Sequence, residues 1–392
     1  MTNTAPAGAK LGLAAIFGST FFALVGYFIL SPLLLLRLKG ADISSTMAGL
    51  FVATGWLGIF IMTPFASSVA NALGRRPCMW LASVLLMLCA MLFTLTQALP
   101  VWFALNLVSG IAMSLRWVLS EALIAEFCPP DQRGRYVGIF QTMVSATFII
   151  GPALLVWLGT HSPVTLWAVN GLNVIGLAWT LLIPKVPAAH DTGSARVGLH
   201  GLVAALLAHP IIMLAGFVGG FFETGVTSIL PLYGLALGLT TSAAAVMVSI
   251  SGLGGMALMI PAGIIADRFK DQAQGRRTLM VWSAAVMLIA TLTLPFVAQT
   301  PWLAWPVVFV WGGAGGTLYT MAMTDIGSRE KGITLVNSTA VLVLTYTLGG
   351  LVASGISGAL IDWSPAVAFP AVLLAVSAVG LLALARAQRN VL

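Results

Sequence analysis

The sequence predicts an all-α membrane protein with twelve transmembrane helices in two pseudo-symmetric six-helix bundles. Three observations lead there. First, 59% of the 392 residues are hydrophobic and only 7% are charged, whereas soluble domains carry roughly 25% charged residues. Second, the apolar residues collect into twelve runs, each near or above the roughly 20 residues that cross a bilayer as a helix. Third, the second half restates landmarks of the first at a spacing of about 199 residues, as duplicated membrane folds do. Backbone groups in lipid must be satisfied within their own segment, so runs of this length are helices. The alternating pattern of a barrel strand is absent.

The runs are bounded by Pro, Gly or charge. The first, 11–36, follows Lys10; it is too long for the apolar part of a secretory signal and no small-residue cleavage site follows it, so it reads as a retained helix. The second, 46–70, contains Pro64, and the third, 78–98, contains Cys78 and Cys89. With Cys128 these thiols show no paired spacing for a disulfide framework or a zinc site. The fourth, 101–126, holds Arg116 and Glu121 inside an otherwise apolar segment. The fifth, 136–158, carries Gly151-Pro152, and the sixth is 164–183. Pro184 to Gly201 is the longest polar interruption, which divides the chain into a first bundle at 1–183, a linker at 184–203 and a second bundle at 204–392. The seventh run, 204–235, has Glu223 near its middle, and 242–266 and 278–298 follow. Gly312, Gly313, Gly315 and Gly316 crowd the tenth run, 302–324; Gly350, Ser354 and Gly358 form a small-residue stripe on the eleventh, 333–359; the twelfth is 366–386. Close helix packing accounts for both sets of small residues.

The repeat rests on a shared offset. Ser31-Pro32-Leu33 matches Leu230-Pro231-Leu232, Pro64 matches Pro261, and Gly74-Arg75-Arg76 matches Gly275-Arg276-Arg277. Trp80 is echoed by Trp282, and Glu126 by Asp325.

The net charge of +7 reads as a topology signal in such a chain and not as a footprint for nucleic acid. With the N-terminus inside, all but three of the 18 basic residues fall on the inner side; Arg37 and Lys39 lie outside and Arg116 in the membrane. That asymmetry predicts a multi-pass protein of the cell (inner) membrane with both termini cytoplasmic.

After the eighth run the chain reads Gly263-Ile-Ile-Ala-Asp267-Arg268 and then Gly275-Arg276-Arg277. This resembles the cytoplasmic signature of the major facilitator superfamily, and helix number, midpoint linker and repeat extend the resemblance over the whole chain. In the first half Asn71 and Ala72 stand where the signature has Asp and Arg, before Gly74, Arg75 and Arg76; the second half carries an insertion before Gly275. The resemblance implies a cytoplasmic gate in which an Asp anchors a helix end and arginines pair with acids on neighbouring helices. Asp267, Arg268, Arg276, Arg277 and Asp325 are its candidates in the second half. Asn71, Arg75, Glu126, Arg133 and Arg135 are the first-half counterpart, weakened by the neutral Asn71. The plainer reading of any single arginine is that it fixes topology. Gly151-Pro152 is a remnant of the glycine–proline motif of the family's drug and proton antiporters, with Thr147, Leu155 and Val156 where flanking glycines are expected; a helix kink explains the same pair.

A charge at membrane depth costs at least about 2.5–3.5 kcal/mol on insertion scales and so faces protein or water. Arg116 lies roughly 4 Å to the inner side of its helix's midpoint at 1.5 Å per residue, similar in depth to Glu223. Glu121 is roughly 140° around the helix from Arg116. In the family fold the first, fourth, seventh and tenth helices line a central cavity, so by resemblance Arg116 and Glu223 face each other across it. The Trp117–Glu121 spacing and Glu223-Thr-Gly with Leu-Pro-Leu-Tyr233 also resemble one branch of small efflux carriers. A carboxylate in a cavity of low dielectric can take and give a proton; Glu223 is the first candidate for proton coupling and Glu121 the second. Arg116 pairs with such an acid or binds an anionic group of the substrate. The plainer alternative is a buried ion pair holding two helices together. Tyr27, Asn106, Trp117, Gln141, Phe221, Phe222, Tyr233 and Tyr319 are candidate cavity contacts, although aromatics on apolar helices also pack or face lipid. Trp102, Trp302, Trp305 and Trp363 fit an outer interfacial belt.

No Gly-Lys dipeptide occurs, so a nucleotide-binding loop is excluded and transport would run on an ion gradient or downhill. The four histidines lie apart, without HExxH, and there is no GxSxG, so hydrolase chemistry, metals and cofactors are not expected. The expected function is alternating-access transport: proton-coupled antiport exporting a small amphipathic or cationic compound, by a monomer whose partners are substrate, protons and lipid. The alternative is a symporter or uniporter of an anionic metabolite anchored by Arg116. A membrane sensor or assembly factor built on a carrier fold is the third possibility, and the lack of a large soluble domain speaks against it.

Overall fold

The computed structural model describes residues 8–127, 133–160, 162–185, 203, 206–269, 271–297, 300–329 and 332–389, and its regular structure among them is helical throughout. In the first half α1 is Ala9–Gly40 and α2 is Ser45–Met62, continued through a 3-10 turn, Thr63–Phe65, into Ala66–Leu73. Next come α3 (Arg75–Leu95), α4 (Leu99–Phe127), α5 (Arg133–Leu158) and α6 (Pro163–Leu181). In the second half α7 runs Pro210–Gly220, widens into a π turn at Phe221–Val226 and resumes as Thr227–Ala236. There follow α8 (Thr241–Asp267), α9 (Gln272–Leu292, with a last turn Leu294–Val297), α10 (Ala304–Arg329), α11 (Gly332–Trp363) and α12 (Ala368–Arg389). Ten of these stretches are long and apolar enough to cross a membrane; α5 contributes a shorter apolar helix, Thr142–Leu158.

The twelve runs expected from hydropathy all recur, with differences that have local causes. The second breaks at Pro64, which has no N–H for the helical ladder. The seventh begins at Pro210, whose ring suits a first helical turn. Between α2 and α3 the chain turns at Gly74, φ +87°, a conformation that favours glycine. The matching Gly275 lies inside α9 instead, because Asp271 caps that helix by accepting from the Ala273 and Gln274 amides. The insertion before Gly275 thus moves the helix start ahead of the Gly-Arg-Arg cluster.

Two compact units result: Met1–Leu33 with Thr54–Ser194, and Leu34–Ala53 with Ala195–Leu392. In the first, α3 packs on α4 and α6, pinned by Trp80 Nε1 donating to the Thr180 carbonyl at 3.1 Å and Asn170 donating to Thr94 at 3.0 Å. In the second, α10 packs on α8 and α9, and α7 on α11.

Close approach depends on small residues. Methyl groups added at Gly110 and Gly254 would meet the backbone carbonyls of Gly55 and Phe309 at under van der Waals distance. Gly55–Gly110 and Gly254–Phe309 are the same contact one repeat apart, so the duplication read from the sequence holds for helix packing within each unit.

Candidate functional site

In the second unit the membrane-depth acid sits where three helices converge. Glu223 is the midpoint of the span Pro210–Ala236 and belongs to the π turn, a feature that recurs at functional positions because it re-aims side chains. It is half-buried, and the Tyr346 hydroxyl on α11 donates to its Oε2 at 2.9 Å. The Tyr346 ring lies 4.6 Å from that of Tyr319 on α10. On the other side are Gly315 and Gly316: a methyl on Gly316 would lie 2.9 Å from Glu223 Oε1, and one on Gly315 3.0 Å from its Cβ. Gly220, whose Cβ would collide with the Tyr346 carbonyl, lets α7 approach α11 closely enough for the hydrogen bond. Among the described residues Glu223 has no cationic partner.

In the first unit Arg116 is 3% exposed on α4. Its Nη1 donates to Ser83 Oγ on α3 and to Thr180 Oγ1 on α6, the latter at 3.4 Å. Those hydroxyls donate in turn to the carbonyls of Met79 and Gly176, both at 2.8 Å. Nη2 has no hydrogen-bond partner, and among the described residues no carboxylate pairs with the guanidinium. A cavity of about 20 Å³ adjoins it, lined also by Met113, Trp117, Thr20 and Ser120.

The remaining candidates separate. Tyr319 joins the Glu223 cluster. Phe222 and Tyr233 are packed into the second unit, Phe222 against Trp311 and Tyr233 against Phe369, with ring centroids 5.8 and 4.8 Å apart; at 0% and 1% exposure they serve packing in this structure. Phe221, at 1%, does the same. Tyr27 is half-buried against Phe28, and Asn106 donates to Thr54 at 3.2 Å, both within the first unit. Trp117 is exposed beside the Arg116 cavity. Of the gate candidates, Arg276 and Asp325 form a buried ion pair, Nε to Oδ1 at 3.4 Å. Arg268 is exposed and Arg277 half-buried, and Arg75 is half-buried at the start of α3. The side chains of Glu121, Gln141, Asn71, Glu126, Arg133, Arg135 and Asp267 lie outside the described residues.

Sequence reasoning missed Tyr346, Ser83 and Thr180. Tyr346 had one available signal: the chain has only five tyrosines, and three others were singled out. The hydroxyls had none.

The helical frame agrees with the comparisons. The chain is 25% identical over 295 residues, 72% of each protein, to the uncharacterised MFS-type transporter YfkF of Bacillus subtilis (strain 168). It is similar in fold to a crystal structure of a D-xylose–proton symporter, with TM-score 0.77 and 18% identity over 96% of each chain. It also resembles a crystal structure of a point mutant of the nucleoside transporter NupG, with TM-score 0.77 and 15% identity over 97% of this chain and 99% of that one. A family model matches residues 16–337, and on that match the chain belongs to the Major Facilitator Superfamily.

Proposed function

We propose that this secondary transporter is a proton-coupled antiporter, working by alternating access and exporting a small amphipathic or cationic compound. The observation that carries the reading is Glu223: an acid at the midpoint of a membrane span, half-buried, with a tyrosine hydroxyl as its one hydrogen-bond partner and no cation beside it among the described residues. A proton and a cationic group would compete for such a carboxylate, and that competition couples their opposite movements. Tyr319 and Tyr346 supply aromatic surface suited to an amphipathic cation. In this reading Arg276–Asp325 belongs to a cytoplasmic gate, the chain acts as a monomer, and both termini lie on the cytoplasmic side of the inner membrane.

A second reading rests on the unpartnered Arg116 Nη2. A symporter or uniporter of an anionic metabolite would anchor its substrate there.

The full chain in liposomes separates them, with a panel of lipophilic cations and small carboxylates as probes under an imposed pH gradient. Antiport requires that protons move against the cation and that Glu223→Gln abolish gradient-driven uptake. Unchanged gradient-driven uptake in that variant removes Glu223 from the mechanism. Protons and substrate moving in the same direction replace antiport with symport.

A further inference from the structure

The Arg116 cavity and the Glu223 cluster occupy equivalent places in the two repeats. One repeat length from Arg116 is Gly315, from Leu24 is Glu223, and from Ser120 is Tyr319. Arg116, Leu24 and Ser120 line the cavity of the first unit; Gly315, Glu223 and Tyr319 make up the cluster of the second. In the second unit a carboxylate fills the junction. In the first unit Leu24 replaces the acid, Arg116 replaces the glycine, and an unfilled volume remains.

That volume is small and polar on one side. At about 20 Å³ it exceeds the roughly 10–15 Å³ needed to hold one water-sized species and is too small for a drug-sized molecule. Two hydroxyls on its wall, Thr20 and Ser120, lie 3.3 Å apart and share one hydrogen bond. Arg116 lines it, 3% exposed, with Nη2 unpartnered. Among the described residues this buried guanidinium has no counter-charge and so is held against a desolvation penalty, which an anion entering this space would offset.

We propose that the cavity beside Arg116 binds a small monovalent anion, chloride or the carboxylate of a one- or two-carbon acid. Arg116 Nη2 is the charged donor and the Thr20 and Ser120 hydroxyls complete the site. The bound anion takes the place that the Glu223 carboxylate holds in the second repeat. This inference is independent of proton coupling at Glu223.

The test is thermal unfolding of the purified full chain at constant ionic strength, with chloride, formate or the bulky gluconate as the varied anion. Binding to the folded state raises Tm with concentration, and near saturation a rise of about 2–4 °C is expected in chloride or formate and none in gluconate. Chloride acting without formate identifies a halide site, and formate acting more strongly identifies a carboxylate site. Arg116→Met, which removes the charge, and Val144→Phe, which fills the cavity and keeps the arginine, should each lose the response. The proposal is overturned if the parent chain responds to neither small anion, or if either variant responds as the parent does. Loss of transport in Glu223→Gln leaves this result untouched, so the two readings fail separately.

Discussion

Tyr346 donates to one oxygen of Glu223 at 2.9 Å. Hydrogen bonds to charged groups contribute roughly 1.5–3 kcal/mol. Tyr346→Phe keeps the ring against Tyr319 and removes only the donor, so gradient-driven uptake should fall about tenfold, the factor that roughly 1.4 kcal/mol carries. Uptake in liposomes under an imposed pH gradient reads the fall; an unchanged rate would show that the hydroxyl does not govern the acid. The contrast between Glu223 and Tyr346 also explains what was legible at this scale. A charge in an apolar run is conspicuous because its burial is costly. Hydroxyls such as Ser83, Thr180 and Thr224 bond the carbonyl four residues back, cost little inside a helix, and leave no mark in composition. Which of them meets Arg116 is decided by helix rotation, and hydropathy does not carry that information.

Helix ends and helix contacts depend on partners far away in the chain. The N-terminus of α2 is capped by Asp362 at the end of α11. Its Oδ1 accepts from the Ser45 amide at 2.9 Å, and its Oδ2 accepts from the Thr46 amide at 2.6 Å and the Thr46 hydroxyl at 2.7 Å. Ser44 also caps this end, accepting from Met47 at 3.2 Å, so Asp362→Ala should cost only about 1 kcal/mol, seen as a fall in Tm of about 1 °C in a chain of 392 residues. Gly358→Ala should cost more. Its Cβ would meet the Ser45 carbonyl, and a backbone atom in a packed helix cannot swing aside as a flexible side chain can. Equal or reversed losses in thermal unfolding would show that the cap, and not the close approach, holds α2 on α11. The sequence exposed the small-residue stripe to which Gly358 belongs. It did not expose the partner of that stripe, because α2 and α11 are distant in sequence and lie in different repeats. The π turn at Glu223 was hidden for a related reason: a widened turn keeps the apolar periodicity of its surroundings and shows itself only in backbone hydrogen bonding.

At the scale of the whole chain, duplication was legible where chemistry forced the same residue twice, as with Pro32 and Pro231, and illegible where geometry alone was kept, as with Gly110 and Phe309. The grouping of residues 34–53 with the second half follows from contacts such as Asp362 with Thr46, so a boundary drawn at the polar linker describes the repeat more closely than the packing. Charge gives the remaining large-scale expectation, orientation. The connection near Asp42 adjoins Arg37 and Lys39, and the one near Arg268 adjoins Arg276 and Arg277; with the other basic residues crowded on the latter side, the rule that basic loops stay inside places Arg268 in the cytoplasm and Asp42 outside. Both positions are exposed, so both can be labelled once Cys78, Cys89 and Cys128 are replaced by alanine. A membrane-impermeant maleimide added to intact cells should modify Asp42→Cys, and should reach Arg268→Cys only after the membrane is opened. The opposite pattern would invert the predicted orientation but leave the proposed direction of transport standing, because antiport sends the substrate outward while the gradient drives protons inward, whichever way the carrier is inserted.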